Sequence, residues 1–463
     1  MKTNLEISHF GKIKNAKINL RPFTLIVGPN GSGKSFITKA LYSIFHTMNK
    51  DLLAEFIIKN INLAMYSLEE ISSNLIRKSD SDNNFIDELK VLLFSLRDEL
   101  AHRFEDITIL QNEEIISFID NEIVKINDTL YDFENSLHKK RTKLSSIKLP
   151  LDMFKMNINV FKDVNKDFNK FYSSELSESL KNEFLNNFLV QSINQLQNKN
   201  NETKFNFNDL DIGNIVLSEN DLLFKIKHTG IADIQKLSNV VYLESPIYFK
   251  LRNTLNESRF SGFSFRRKGI INQVPKYFYD VDQLLTSKIV SYNNEHKNTF
   301  YHILELIEKA TSGKFDINRQ GEITFSEGNN DIPFNMVSSG MANLGIIYLL
   351  IQKNVLTKGS YLIIDEPEIN LHTEWQHIML DILFELSKNG VLIVIASHSL
   401  DLVYRLENVI QKNQELCKNE HFSINRMNKN GYSEEITDVM TDILKAKRDL
   451  SKPYNDLYNS RLP

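Results

Sequence analysis

The chain has 463 residues, of which 41% are hydrophobic and 25% charged, and 55 Lys and Arg face 59 Asp and Glu for a net charge of −4. Such a make-up suits a globular protein of two or three domains, or one large core with an insertion. It excludes a polycation that binds nucleic acid through overall charge, although a local basic face stays open. The single cysteine, Cys417, excludes an internal disulfide and a cysteine-based zinc site. The longest apolar runs, such as LGIIYLLI at 344–351, are too short to span a bilayer, and MKTNLEISHFGKIKN lacks the apolar segment of a signal peptide. The expectation is a cytoplasmic protein.

In chain order, the first strong signal runs from Phe23 to Phe45. FTLIV is a β-rich apolar run, and Ile37, Ala40, Leu41, Ile44 and Phe45 recur at helical spacing. Between them stand Gly28, Pro29, Asn30, Gly31, Ser32, Gly33, Lys34 and Ser35, which match G-x-x-x-x-G-K-[ST] in its strand–loop–helix setting. Glycines let the backbone wrap a phosphate chain so that N–H groups and the helix N-terminus face the anions. Lys34 is expected to reach the β- and γ-phosphates of a nucleotide, and the Ser35 hydroxyl to ligate Mg²⁺.

From Leu52 to about residue 200 the sequence turns Leu/Ile-spaced, charged and Asn-rich, with almost no Gly or Pro. Leu53, Ile57, Ile61, Ala64, Leu68, Ile71 and Leu75 form one stripe. Ile116, Ile119, Ile123, Ile126, Leu130, Phe133 and Leu137 form another, resumed by Leu144 and Ile147 beyond a break at Lys140. Pro150 is expected to end it. These coiled-coil-like stripes predict helices that pack as a bundle or dock a partner. About thirty residues of helix reach only ~45 Å, too short for a long arm.

Short strands return with KFNFN, NIVLS and LLFKIK, and NVVYLESPIYFK at 239–250 reads as a strand and turn. RFSGFSFRRKG at 259–269 interleaves aromatic and basic residues, as a surface hairpin tip or a nucleic-acid contact would. VSSGMANLGIIYLLI at 337–351 is an N-capped apolar helix. YLIIDEPEINLH at 361–372 is an apolar strand ending in Asp365, Glu366 and Glu368, carboxylates that are costly there without compensation. With the phosphate loop present, Asp365 is placed to meet Mg²⁺ and Glu366 to polarise an attacking water, whereas Glu368 reads as structural. VLIVIASHS ends in His398 about thirty residues later, a spacing that allows one βαβ crossover and a γ-phosphate contact. The tail adds a strand–turn–strand pattern, FSINRMNKNGYSEEI, and a polar helix. Tandem repeats and TOPRIM- or HNH-like metal clusters are absent from the sequence.

This order of parts resembles ABC-type ATPase heads of the SMC/RecF branch. ISHFGKIKNAKINLRPFTLIVGPNGSGKS looks like that branch's opening, with Phe10 at its aromatic position. DEPEINLHTEW is similar to the DEPE-x-x-LHP signature of overcoming-lysogenisation-defect type ATPases, whose relatives include the ATPase subunits of the Septu and PARIS anti-phage systems; Thr373 stands where that signature has Pro. The match covers residues 1–45 and 335–400. It implies an α/β fold, an ABC-type P-loop head with a mostly parallel sheet, an antiparallel β part and an α-helical insertion. It implies ATP and Mg²⁺ as ligands, Glu366 and His398 as catalytic residues, and Ser35 and Asp365 as metal ligands. Ser338, Ser339 and Gly340 would contact the γ-phosphate of ATP on a second subunit, although Val337, Ser339 and Met341 depart from LSGGQ, and 239–250 supplies no Q-loop glutamine.

The resemblance also implies a homo-oligomer, dimer or higher, that controls a separate effector such as a nuclease in prokaryotic anti-phage defence. DNA or a phage protein would be the trigger, and no membrane is involved. A RecF-like repair ATPase that binds DNA directly and a nucleotide-gated scaffold with negligible hydrolysis are the alternatives. The expected domains are 1–50 (start of the head), 51–200 (helical insertion), 201–410 (rest of the head) and 411–463 (strand–turn–strand and helix).

Overall fold

The computed structural model describes residues 2–75, 78–104, 113–138, 141–166, 168–198, 201–208, 213–219, 221–225, 238–252, 255, 274–286, 300–318 and 321–459. RFSGFSFRRKG and Lys140 lie outside them. Two compact units are present, one formed by residues 1–49 with 177–463 and the other by 50–176.

In chain order the strands are β1 (Thr3–Phe10), β2 (Ile13–Leu20), β3 (Phe23–Val27), β4 (Thr203–Phe207), β5 (Asn214–Ser218), β6 (Asp221–Lys225), β7 (Val240–Leu243), β8 (Lys314–Ile317), β9 (Ile323–Glu327), β10 (Asn330–Pro333), β11 (Tyr361–Asp365), β12 (Leu392–Ser397) and β13 (Phe422–Arg426). The longer helices are α1 (Lys34–Met48), α2 (Leu52–Asn74), α3 (Asp80–Phe104), α4 (Glu113–His138), α5 (Arg141–Lys166), α6 (Phe168–Phe188), α7 (Lys276–Thr286), α8 (Tyr301–Thr311), α9 (Ser339–Gln352), α10 (Thr373–Lys388), α11 (Leu400–Lys412) and α12 (Val439–Asn459).

The first unit is built on a parallel sheet in the order β13–β3–β12–β11–β7. Its three middle strands are buried along their whole length, which is why FTLIV, YLIID and LIVIAS read as unbroken apolar runs rather than alternating ones. A second sheet, β2–β1–β4–β5–β6, is antiparallel throughout, and β8, β9 and β10 form a three-stranded antiparallel meander. In β1 the buried residues alternate, as a sheet with one covered face requires. Phe10 is fully buried among Phe36, Phe184, Phe188 and Phe205, its ring 5.0 Å from that of Phe205, so it serves the core.

The second unit is a bundle of α2, α3, α4 and α5. Its core takes Ile57, Ile61, Leu68, Ile71, Ile119, Ile123, Ile126, Leu130, Phe133 and Ile147, each 6% exposed or less. Both sequence stripes are therefore consumed inside the bundle, and the docking face they could have offered does not exist at those positions. The side chains of Leu53, Ile116 and Leu144 lie outside the description.

Three sequence expectations need correction here. Pro150 does not end a helix; it is buried inside α5, where bundle packing outweighs the missing N–H bond and ring clash that cost ~3 kcal/mol in an isolated helix. The helical unit closes at Leu176 rather than near 200, because the last turns of α6 bring Phe184 and Phe188 onto the Phe10 cluster. Nor does the tail stand apart: β13 pairs with β3 in the parallel sheet, and the chain turns back beside it through a Met427–Ser433 bridge before α12.

Candidate nucleotide site

Residues 28–33 link β3 to α1. Gly33, the N-cap residue of α1, has φ 98°, a left-handed conformation that a side chain disfavours. Gly28 is required for a different reason: a Cβ there would stand 2.4 Å from the Met427 carbonyl. Lys34 is 4% exposed, and its ammonium folds back onto the loop, donating to the Gly28 carbonyl at 2.8 Å and the Pro29 carbonyl at 3.2 Å. Burial pulls its pKa down, and the charges of Glu366, Asp365 and Glu368 oppose that pull. The ammonium is thus a buried cation beside three carboxylates, held on neutral carbonyls that an anion can outcompete.

The carboxylates come from β11. Because β3, β12, β11 and β7 are neighbours and parallel, their C-terminal ends line one edge, the place where open α/β sheets bind ligands. Asp365 is 2% exposed; its Oδ2 accepts from the Tyr242 hydroxyl at 3.2 Å, and its Oδ1 is buried with no hydrogen-bond partner among the described residues. Burial pushes its carboxyl up to about 6, with the Ser35 hydroxyl and Lys39 ammonium holding it back and Glu244 and Glu366 pushing further. A buried carboxylate with an orphaned oxygen calls for a cation. Ser35 and Asp365 offer the hard oxygen ligands of a magnesium ion, so the residues fit one.

Glu366 follows with φ 54°, an uncommon conformation for a residue with a side chain, pinned by its N–H to the Ala396 carbonyl at 2.8 Å. Its Oε1 stands 3.1 Å from His398 Nδ1 at the end of β12. The structure thus brings Lys34, Asp365, Glu366 and His398 to one edge, and the arrangement can hold a phosphate chain, a divalent cation and a water beside a carboxylate.

The profile of the AAA ATPase domain matches residues 1–403. The chain belongs to the AAA ATPase domain family. Its activity is that of an ATPase. No curated protein matches the sequence. Among solved structures it is similar to the Smc head domain with an extended coiled coil bound to the C-terminal domain of ScpA from Pyrococcus furiosus, at 12% identity and TM-score 0.38 over 99% of each chain. It is also similar to MJ1267, an ATP-binding cassette of an ABC transporter, at 14% identity and TM-score 0.34 over 99% of this chain and 98% of that one. The SMC head domain from Thermotoga maritima matches at 12% identity and TM-score 0.32 over 87% and 91%. These likenesses are weak, and the fold rests on the sheet topology above. No helix among the described residues is long and apolar enough to cross a membrane.

Elsewhere in this AAA ATPase, Ser338 is exposed and caps α9, accepting from Met341 N at 3.3 Å, and Ser339 opens that helix. Gly340 is buried, where a Cβ would meet Leu371 at 2.7 Å. The bonds and close approaches of these three are to their own helix and to the loop after β11. Thr373 begins α10, where Pro is well tolerated, and donates to Asp401 at 2.9 Å instead.

Sequence reasoning missed the neighbours on β7. Its register with β11 pairs Ile364 with Leu243, which brings Glu244 level with Asp365. Glu244 binds the Lys39 ammonium at 2.9 Å and accepts from the Tyr277 hydroxyl. The acidic strand end in VVYLES was a visible signal, but which strand lies beside β11 is not a local property.

Proposed function

We propose that this ATPase hydrolyses ATP at the edge formed by β3, β12, β11 and β7, with residues 28–35 wrapping the phosphates and Lys34 moving from the loop carbonyls onto the β- and γ-phosphates. The observation that carries this reading is the convergence of Lys34, Asp365, Glu366 and His398 at one sheet edge, the first two buried and the last two half-buried. Ser35 and Asp365 would hold a magnesium ion, which when bound neutralises charge on the phosphate oxygens. Glu366 orients the water and takes its proton, and His398 turns Nε2 toward the γ-phosphate. Ser338, Ser339 and Gly340 serve the site of a second copy, so the working form is a dimer or higher oligomer. The resemblance of DEPEINLH to overcoming-lysogenisation-defect type ATPases supports placement in the SMC/RecF branch. It also supports control of a separate effector, such as a nuclease, in anti-phage defence with DNA or a phage protein as trigger.

The test is Glu366→Gln, which keeps the side-chain shape and loses the basic carboxylate. It is expected to bind ATP, to slow single-turnover hydrolysis by roughly 10²–10⁴-fold, and to accumulate as an ATP-stabilised assembly by light scattering. Undiminished hydrolysis would move the catalytic role elsewhere.

A further inference from the structure

Glu368 lies in the turn after β11, where Ile369 N bonds to the Glu366 carbonyl at 3.1 Å and Leu371 N to the Glu368 carbonyl at 3.0 Å. Its side chain does not point to solvent. Only 6% of it is exposed, and it reaches across to the end of the neighbouring strand. Its Oε1 accepts from Ser397 Oγ at 2.7 Å and from His398 N at 3.0 Å, and stands 3.4 Å from His398 Nδ1. Its Oε2 is buried with no hydrogen-bond partner among the described residues.

An ionised carboxylate can only accept hydrogen bonds. Facing two of them, Glu366 and Glu368, Nδ1 of His398 therefore carries a hydrogen, and Nε2 is the nitrogen turned away from both acids. A turn needs no ionised group for such a clamp. Burying one with an unsatisfied oxygen costs stability, and such costs are commonly retained where a site needs them.

We propose that Glu368 is a positioning residue for hydrolysis: it fixes the backbone and the Nδ1–H tautomer of His398 and shares that hydrogen with Glu366, leaving the Glu366 carboxylate free to face the water. This rests on the roles given above to Glu366 and His398. Ser397 belongs to the same clamp, since its hydroxyl bonds to Glu368 and also accepts from Ser399 N at 2.9 Å, where α11 begins.

The experiment is a double-mutant cycle read by single-turnover hydrolysis, with ATP affinity and melting temperature measured on each variant. Glu368→Ala is expected to lower the hydrolysis rate about 10–100-fold, the usual range for a partner that orients a functional histidine, while ATP affinity stays within about twofold. Glu368→Gln, whose amide oxygen can still accept from Ser397 and His398 N–H, should recover most of that loss. In a His398→Ala background, Glu368→Ala should add nothing, because the two act as one unit. Additive losses, or loss of rate only in step with affinity and melting temperature, would overturn the proposal. If Glu368→Ala does not fold, Ser397→Ala decides: a several-fold loss that vanishes in the His398→Ala background supports the clamp, and an unchanged rate overturns it. Full activity in both Glu366→Gln and His398→Ala would instead remove the underlying site reading.

Discussion

Asp365 illustrates how burial shifts the charge state of one residue. Its ordinary pKa is 3.8, and in the folded chain burial raises it to about 6. The folded state therefore holds this proton more tightly than the unfolded state does. Stability conferred by the protonated acid is fully present below 3.8 and is lost as the pH rises through about 6. At 1.36 kcal/mol per pKa unit the penalty above that pH is at most roughly 3 kcal/mol. Asp365→Asn is expected to raise the melting temperature of nucleotide-free protein well above pH 6 and to lose that advantage near pH 4. It should also abolish the added stabilisation that wild type gains from magnesium and ATP together. Melting curves across pH, with and without both ligands, check this; a variant less stable than wild type at high pH would show that the buried carboxylate is already compensated.

At the scale of the element, α1 must hold the phosphate loop at its N-terminus while its far end is fixed elsewhere. That far end sits in a charged cluster. Lys276 on α7 binds Glu183 at 2.7 Å and Asp280 at 3.1 Å, Asp280 accepts from the Tyr42 hydroxyl at 2.7 Å, and His46 stands 3.7 Å from Asp280. Burial works against the Lys276 ammonium, but Glu183 and Asp280 outweigh it and raise its pKa. The ammonium lies between the carboxylates, so the cluster is an ion-pair network in its own right. Lys276→Met would remove the nearest cation from Glu183, 2% exposed, leaving it the His46 ring at 3.9 Å and the Asn187 amide at 3.2 Å. The expected loss is about 3 kcal/mol in urea unfolding, and Glu183→Gln in the same chain should restore much of it. A loss below about 1 kcal/mol would mean that the pair behaves as a surface bridge.

Which elements could be read in advance follows from where their information lies. The phosphate loop, β11 and β12 carry their signal in their own residues, so the places of Lys34, Asp365, Glu366 and His398 at helix and strand ends were legible. The pairing of β13 with β3, the place of Glu244 beside Asp365 and the clamp made by Glu368 depend on partners far along the chain. Glu368 read as a turn residue because sequence gives no direction to a side chain. The stripes of α2 and α4 fixed helices but not what they face, and Pro150 was misread because local propensity yields to packing in a bundle.

At the scale of the whole molecule, the proposed dimer requires one chain to complete another's site. Ser338 is exposed at the start of α9, and Gly340 behind it is packed on Leu371, so the cap is held against the loop that follows the acidic strand. A copy related by twofold symmetry would present this cap to its partner, and each site would pair one chain's phosphate loop with the other's α9. Ser338→Arg should then spare ATP binding and abolish hydrolysis, since a bulky cation intrudes on the partner's γ-phosphate. Ser338→Asn, which still caps the helix, separates that effect from loss of the cap, itself worth about 1 kcal/mol. Lys34→Ala should bind ATP more weakly by at least 1.5–3 kcal/mol, roughly the worth of a charge-assisted contact, and also be inactive. Mixed, the two inactive chains form heterodimers in which one site joins an intact loop to an intact cap. Random exchange makes half of the dimers mixed, so about a quarter of wild-type activity should return. Light scattering and a tagged pull-down establish that exchange has occurred. No recovery despite exchange would reduce Ser338 to a helix cap and leave each chain's site complete in itself.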